Sequence, residues 1–570
     1  MSYSTRSKSS RKRTPASTQT VIWITAGAFV LLALCCGCWF AFSPLMQSVT
    51  QPITQQVAPS QSAELTIAYS PEKADLFKSL VDSFNAQGNK TPSGSPMTVK
   101  TVELEPDVMI AGAVAGDFQA MSPDSSVWLG QADRAWADAH NGQGALVGAT
   151  TRYAVSPVVI AMWRDAAKSM GYPDKALGWS DLLAKAQSDK NFKWSHPSPT
   201  SASGLLATLA EFYAASGKTR GLTVEDVQAQ HTLDYVNAIE KTVRYYGEGE
   251  WPIAQRVVQQ GRGYLDAFVC SEQIVIWARS KGADLVAIYP AEGALWQDHP
   301  LALLEQPGLT DAQRTTFTRF SDFVRSAEAQ KKVLALGYRP ADLNIPINSP
   351  GSPIRADNGV DPSQPKTSLQ VPASAVLQTV QQAWQQTKRH ANIMLVVDTS
   401  GSMAGDKISN VKQALKTFLE QIPSDQERVG MVLFSSSVYD TISPKELGTN
   451  RAILNSKIDS IKAGGNTALL DSVKAAYDQL ESLNDKSRIN AIVVMTDGLE
   501  NNSNISLDRL SKYMRDTNQS GVQVTVFSIG YGKDADWNTL KAMSDATGGQ
   551  TREGTLETIR QIYKILSTYF

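Results

Sequence analysis

"IMLVVDTSGSM", residues 393–403, runs five apolar residues into an aspartate and then sets hydroxyls at alternate positions. An unbroken apolar run is what a strand needs when helices cover both faces of its sheet. Similar runs recur at 429–434 ("VGMVLF"), 491–495 ("AIVVM") and 522–529 ("VQVTVFSI"). Between the first two, Ile408, Val411, Leu415, Leu419 and Ile422 fall on one face of a helix. Apolar strands alternating with amphipathic helices predict an α/β, doubly wound, Rossmann-like sheet within 373–570. Ligands of such sheets sit beyond the carboxyl ends of the strands. Asp398, Ser400 and Ser402 fall there, and their alternation in an extended turn lets three oxygens face one point.

Two more oxygen donors occur at corresponding strand ends: Thr467 in "GGNTALLDSV" at a helix start, and Asp497 in "AIVVMTDGLE" directly after a strand. Carboxylates and hydroxyls suit Mg²⁺ or Mn²⁺, whereas thiolates or imidazoles would favour zinc. Taken alone, "DTSGS" also reads as a capping turn whose side chains satisfy helix N–H groups. The donors in register at two other strand ends favour a cation.

This set resembles a von Willebrand factor type A domain with a metal-ion-dependent adhesion site. The family pattern is Asp-x-Ser-x-Ser, a distant Thr, and an Asp in a Thr-Asp-Gly context. It falls on Asp398, Ser400, Ser402, Thr467 and Asp497, and "VLFSSSV" and "SIGYGKDADWNTLKAMSDATGGQ" extend the similarity over roughly 390–565. The resemblance implies that the hydroxyls bind the cation directly and the aspartates often through water. Two carboxylates neutralise a divalent cation, and three neutral hydroxyls leave it able to take an Asp or Glu from a partner. Catalysis by such a metal needs a positioned base or a phosphate-binding lysine. The sequence has no P-loop pattern, and His390 precedes the first strand, at its opposite end. With five histidines in the chain, a His-based metal or nucleophile constellation is not expected, and His196 and His299, each near a proline, read as structural. The expectation is a binding module, not an enzyme.

The 570 residues, 42% hydrophobic and 19% charged, suffice for two or three domains with their own cores. Net charge is −1, but Arg6, Lys8, Arg11, Lys12 and Arg13 crowd the first 20 residues without an acid. The rest is mildly acidic, which excludes a nucleic-acid surface. Residues 21–42, "VIWITAGAFVLLALCCGCWFAF", carry no charge and at about 1.5 Å per helical residue span a bilayer's hydrocarbon core. A transmembrane helix is expected there, with the basic tail cytoplasmic and the bulk of the chain outside. Residues 43–63 have the Ser/Gln/Pro composition of a stalk. Residues 343–372, with six prolines at 346–372, read as an interdomain linker. Cys35, Cys36 and Cys38 lie in the apolar run, so Cys270 has no exoplasmic disulfide partner.

Residues 64–342 are also α/β. "ELTIAYS" is a strand leading into a helix, and "YAVSPVVIAMWR" a long central strand. Serines at strand-to-helix turns, with free helix N–H groups, would cradle an anion. With "YPAEGALWQDHP" (289–300) and "AEAQKKVLALGYRPA" (327–341), the block resembles a bacterial extracellular solute-binding protein, two-lobed and related to molybdate and sulfate binders. The resemblance assigns ligand roles by position to Ser70, Ser126, Ser156 and Ser203, although each also reads as a cap or turn residue. Glu272, Tyr289 and Glu292 are candidates for the cleft between lobes or for its hinge.

The whole reads as a single-pass cell-membrane protein of bacterial type. It would combine Mg²⁺- or Mn²⁺-dependent capture of an unidentified protein's carboxylate with a domain for a small anionic solute. Delivery of a solute to a membrane permease is the alternative.

Overall fold

In the computed structural model, which describes residues 62–555 apart from 143, 423, 533 and 534, the strands among the described residues fall into three sheets. The first lobe contains β1 (Leu65–Tyr69), β2 (Val99–Glu103), β3 (Ala120–Ser122) and β4 (Val147–Arg152). The chain then crosses to a second lobe at Tyr153. There it forms β5 (Ala154–Trp163), β6 (Trp194–Pro197), β7 (Tyr246–Gly247), β8 (Ala267–Ser271), β9 (Leu285–Ile288) and β10 (Trp296–Gln297). It returns to the first lobe for β11 (Pro300–Leu304), and β12 (Arg339–Pro340) pairs back onto β5. Strand order is β2-β1-β3-β11-β4 in the first sheet, and β10-β5-β8-β6-β7 in the second, with β9 and β12 also on β5.

The third sheet has the order β15-β14-β13-β16-β17-β18, built from β13 (Ala391–Asp398), β14 (Arg428–Phe434), β15 (Val438–Glu446), β16 (Ile489–Thr496), β17 (Val524–Tyr531) and β18 (Thr551–Gly554). All neighbours are parallel except the edge strand β15, which runs antiparallel to β14. Every residue of β13 and β16 is buried, as the apolar runs require. Helix Asp406–Gln421 buries Val411, Ala414, Leu415, Phe418 and Leu419 on the face read from the sequence.

The Pro-rich stretch runs along the second lobe. Ile354, Val360 and Leu369 are buried there, and the Leu369 N–H bonds to the Ala294 carbonyl at 2.9 Å. Helix Ser374–Thr387 follows, and it packs on the second lobe's helices Ala202–Ser216, Val224–Gln228 and Gln230–Glu240. Val376, Leu377, Val380 and Trp384 join one apolar core that is continuous from β5 and β8 through to β13 and β16. Arg389 reinforces the junction by donating to the Val243 carbonyl on one side and to the carbonyls of Lys486, Ser487 and Arg488 on the other. The first lobe has separate cores.

The expected anchor at 21–42, its basic tail, nearly all of the stalk and residues 556–570 lie outside the described residues. No helix among the described residues is long and apolar enough to cross a membrane.

Candidate metal centre and solute cleft

The carboxyl ends of β13 and β16 and the loop before helix Leu469–Leu483 bring the five expected ligands together. The Asp398 carboxylate is held on two sides: its Oδ1 accepts from the Ser400 N–H at 2.7 Å, and its Oδ2 from the Thr496 hydroxyl. Ser400 Oγ lies 3.0 Å from Ser402 Oγ, which donates to Asp497 Oδ1 at 2.7 Å. Gly498 completes the convergence, because a Cβ there would lie 3.2 Å from Thr467 Oγ1 and 3.4 Å from Ser402 Oγ. A side chain at 498 would crowd both hydroxyls. Asp398, Ser400, Thr467 and Asp497 are buried, and Ser402 faces solvent. Burial pushes the Asp398 carboxyl above its ordinary range against its hydrogen-bond donors, and nearby Asp497 adds to the rise. An all-oxygen set around two acids fits a hard divalent cation, which would relieve that repulsion.

Two participants escaped the sequence reading. Thr496 orients Asp398, and Lys407, in the first turn of helix Asp406–Gln421, pairs with Asp497 Oδ2. A lysine one residue into a helix reads as solvated surface. Only the fold brings it to a carboxylate 90 positions away.

The four serines of the first block divide between the lobes. Ser70 Oγ accepts from the Asp124 N–H at 3.2 Å, while the Ser126 N–H donates to Asp298 at 2.7 Å. In the second lobe Ser156 donates to Gln273 at 2.6 Å, and Ser203 lies beside Glu250. Carboxylates dominate the surroundings. Glu72 reaches from the first lobe to the amino end of helix Glu250–Gln260, accepting from the N–H groups of Glu250 at 2.9 Å and Trp251 at 3.1 Å. Gly249 makes room for it, since a Cβ at that position would sit 2.1 Å from Glu72 Oε1. Burial and the nearby Glu250 push the Glu72 carboxyl up; burial raises Glu250 to about 7 against the Ser271 and Ser203 hydroxyls. Lys73 and His299, both buried, lie 3.7 and 3.4 Å from Asp124, and burial lowers Lys73 to about 8. A 130 Å³ cavity beside Glu72 is lined by Trp251, Gln273, Trp277 and Tyr338 among others. It is smaller than the ~300 Å³ at which drug-sized pockets begin.

Of the three cleft or hinge candidates, Glu292 accepts from the N–H groups of Trp179 and Ser180 and so caps helix Trp179–Ser188. Glu272 receives a bidentate pair from Arg339 at 2.8 and 2.7 Å and a bond from Tyr289, which ties β12 to the second lobe where the chain crosses.

The von Willebrand factor type A domain model matches residues 392–564, and that of the bacterial extracellular solute-binding proteins matches 65–339. The chain is a fusion of these two domains. Relatives of the type A domain include inter-alpha-trypsin inhibitor heavy chain H2 of Sus scrofa, 25% identical over 31% of this chain and 20% of the relative. Protein YfbK of Escherichia coli is 25% identical over 31% of this chain and 30% of its own. Calcium-activated chloride channel regulator 1 of Equus caballus is 31% identical over 28% of this chain and 16% of its own. The chain thus spans less than a third of the length of these relatives. Among solved structures, the sulfate-binding protein SubI of Mycobacterium tuberculosis is 20% identical with a TM-score of 0.36, covering 49% of this chain and 88% of SubI. A von Willebrand factor type A protein of Catenulispora acidiphila is 17% identical with a TM-score of 0.28, covering 32% of this chain and 42% of its own.

Proposed function

We propose that this fusion is a membrane-anchored binding protein of the bacterial surface. Its type A domain would capture an acidic residue of a partner through Mg²⁺ or Mn²⁺ held by Asp398, Ser400, Ser402, Thr467 and Asp497. The observation that carries this reading is the hydroxyl chain Ser400–Ser402–Asp497 beside Asp398, open to solvent at Ser402. A cation neutralised by two carboxylates there has a side from which a partner's carboxylate can approach. This is adhesion or sensing chemistry, not catalysis. The solute-binding domain supplies a second recognition site. Because Glu72 already lies on the helix N-terminus that an anion would use, an anionic solute binds by displacing it.

Calorimetric titration of the full chain with Mg²⁺ tests the metal site. At a hundredfold excess over Kd, Mg²⁺ stabilises the type A domain by about 2.7 kcal/mol through linkage. Asp398→Ala loses most of this, because the site's neutrality depends on two carboxylates. Equal heats for parent and variant would overturn the reading. The basic tail and apolar run support an anchor with the bulk of the chain outside. Protease added to intact cells then removes everything beyond about residue 43, whereas a secreted form beginning near residue 50 would refute the anchor.

A further inference from the structure

The second lobe encloses another set of metal-binding side chains, separate from the solute cleft and from the type A site. His196 is in β6, Glu211 in helix Ala202–Ser216, and Glu240 ends helix Gln230–Glu240. All three are fully buried, and one donor atom of each lies within 4.8 Å of the others. His196 Nδ1 lies 2.8 Å from the Pro197 carbonyl oxygen, which can only accept, so Nδ1 carries a proton and Nε2 is the ring atom left to meet a ligand. Nε2 faces Glu240 Oε2 at 3.3 Å. Either a proton or a metal ion lies between these two atoms.

Glu211 sharpens the demand. Among the described residues neither of its oxygens receives a hydrogen bond, although both are buried. In the segment that follows helix Ser374–Thr387, Lys388 pairs with Glu427, and Arg389 donates to four backbone carbonyls. Two carboxylates shut away from water side by side without compensating charge are costly.

We propose that His196, Glu211 and Glu240 hold a divalent transition-metal ion of the zinc class. The two carboxylates balance its charge, and the imidazole selects it over Mg²⁺. The 3.3 Å between His196 Nε2 and Glu240 Oε2 is already the spacing of two ligands on tetrahedral zinc. Bonds of about 2.0–2.2 Å give an edge of about 3.3–3.5 Å. The Pro197 carbonyl fixes the ring, while Tyr246 donates to Glu240 Oε2 at 2.7 Å and Trp384 to Oε1 at 2.6 Å, the outer partners that orient metal ligands. Trp384 belongs to helix Ser374–Thr387, so the ion fastens the segment leading into the type A domain onto the second lobe.

The alternative compensating charge is a proton, held by His196 Nε2 or shared by the two carboxyls, of which burial and Glu240 push Glu211 up; zinc retention, and its loss in Glu211→Gln, separate metal from proton. The full chain is stripped with chelator and given equimolar zinc in excess Mg²⁺, which keeps the type A site filled. It is then passed through gel filtration. Elemental analysis is expected to find about one zinc per chain, with a raised unfolding temperature, and both are lost in Glu211→Gln. Absence of retained zinc overturns the proposal, as does equal retention by parent and variant. If Glu211→Gln does not fold, cobalt(II) added to the stripped parent decides: the intense visible bands of tetrahedral cobalt support the site and their absence rejects it. Failure of the type A reading leaves this test untouched, because it is read at saturating Mg²⁺.

Discussion

Lys407 pairs with Asp497 Oδ2 within the same set of oxygens that a divalent cation would need. A lysine there is a resident positive charge, and Mg²⁺ must share Asp497 with it or displace it. Lys407→Met therefore lowers the Kd for Mg²⁺ severalfold by calorimetry. An unchanged or higher Kd would mean that the lysine does not compete. Thr467→Ala removes a neutral hydroxyl, so it weakens Mg²⁺ binding less than Asp398→Ala does, and equal losses would speak against the roles assigned here. That Asp398, Ser400, Ser402, Thr467 and Asp497 lie together was legible because strand ends and their polar residues are local patterns. Glu72, Thr496 and Lys407 were not legible, since each acts on a group far along the chain, and a lone charge near a helix start has many uses.

Strands β13, β14, β16 and β17 lie within two residues of their apolar runs, because burial on both faces writes itself into every position. β15 was missed: its burial alternates, its composition is polar, and as an edge strand it owes its existence to pairing with β14. Helix Ser374–Thr387 is amphipathic in sequence, but its pattern does not say which neighbour covers the apolar face. The fold gives that face to the second lobe, where buried Trp384 supplies Glu240 with a donor at 2.6 Å. Trp384→Phe keeps most of the ring and deletes the N–H, leaving a buried carboxylate oxygen short of a partner. It is expected to cost about 1–3 kcal/mol in chemical denaturation, and a loss below a few tenths would show that the bond contributes little.

Across the molecule, salt-bridged acids such as Asp124 and Glu427 are held low and titrate out below pH 5, whereas the buried carboxyls between the lobes give the solute-binding domain a pH dependence of the opposite sign above it. Glu250, raised to about 7 by burial, holds a proton in the folded chain that the unfolded chain releases near its ordinary 4.5. The stability from that proton is complete below pH 4.5 and is lost as pH rises through 7, a change on the order of 3 kcal/mol. Glu72 shifts in the same direction. The urea midpoint of the solute-binding domain should therefore be lower at pH 7.5 than at pH 5, with Glu250→Gln flattening the difference. A midpoint that rises over this interval would refute the protonated pair.

Arg389 lies two residues before β13 and is bound to the second lobe, while Asp398 ends the strand about 30 Å away. β13 pairs over seven residues with β14 on one side and seven with β16 on the other. A partner tugging on a cation at Asp398 would pull β13 lengthwise, so its ladders would bear the load in shear, all rungs together, instead of parting one after another as in a zipper. At the far end the strain would pass into the backbone carbonyls that grip Arg389 and the apolar core around Trp384. Under tension the second lobe would act as the footing, and the type A sheet as a tie rod between footing and partner.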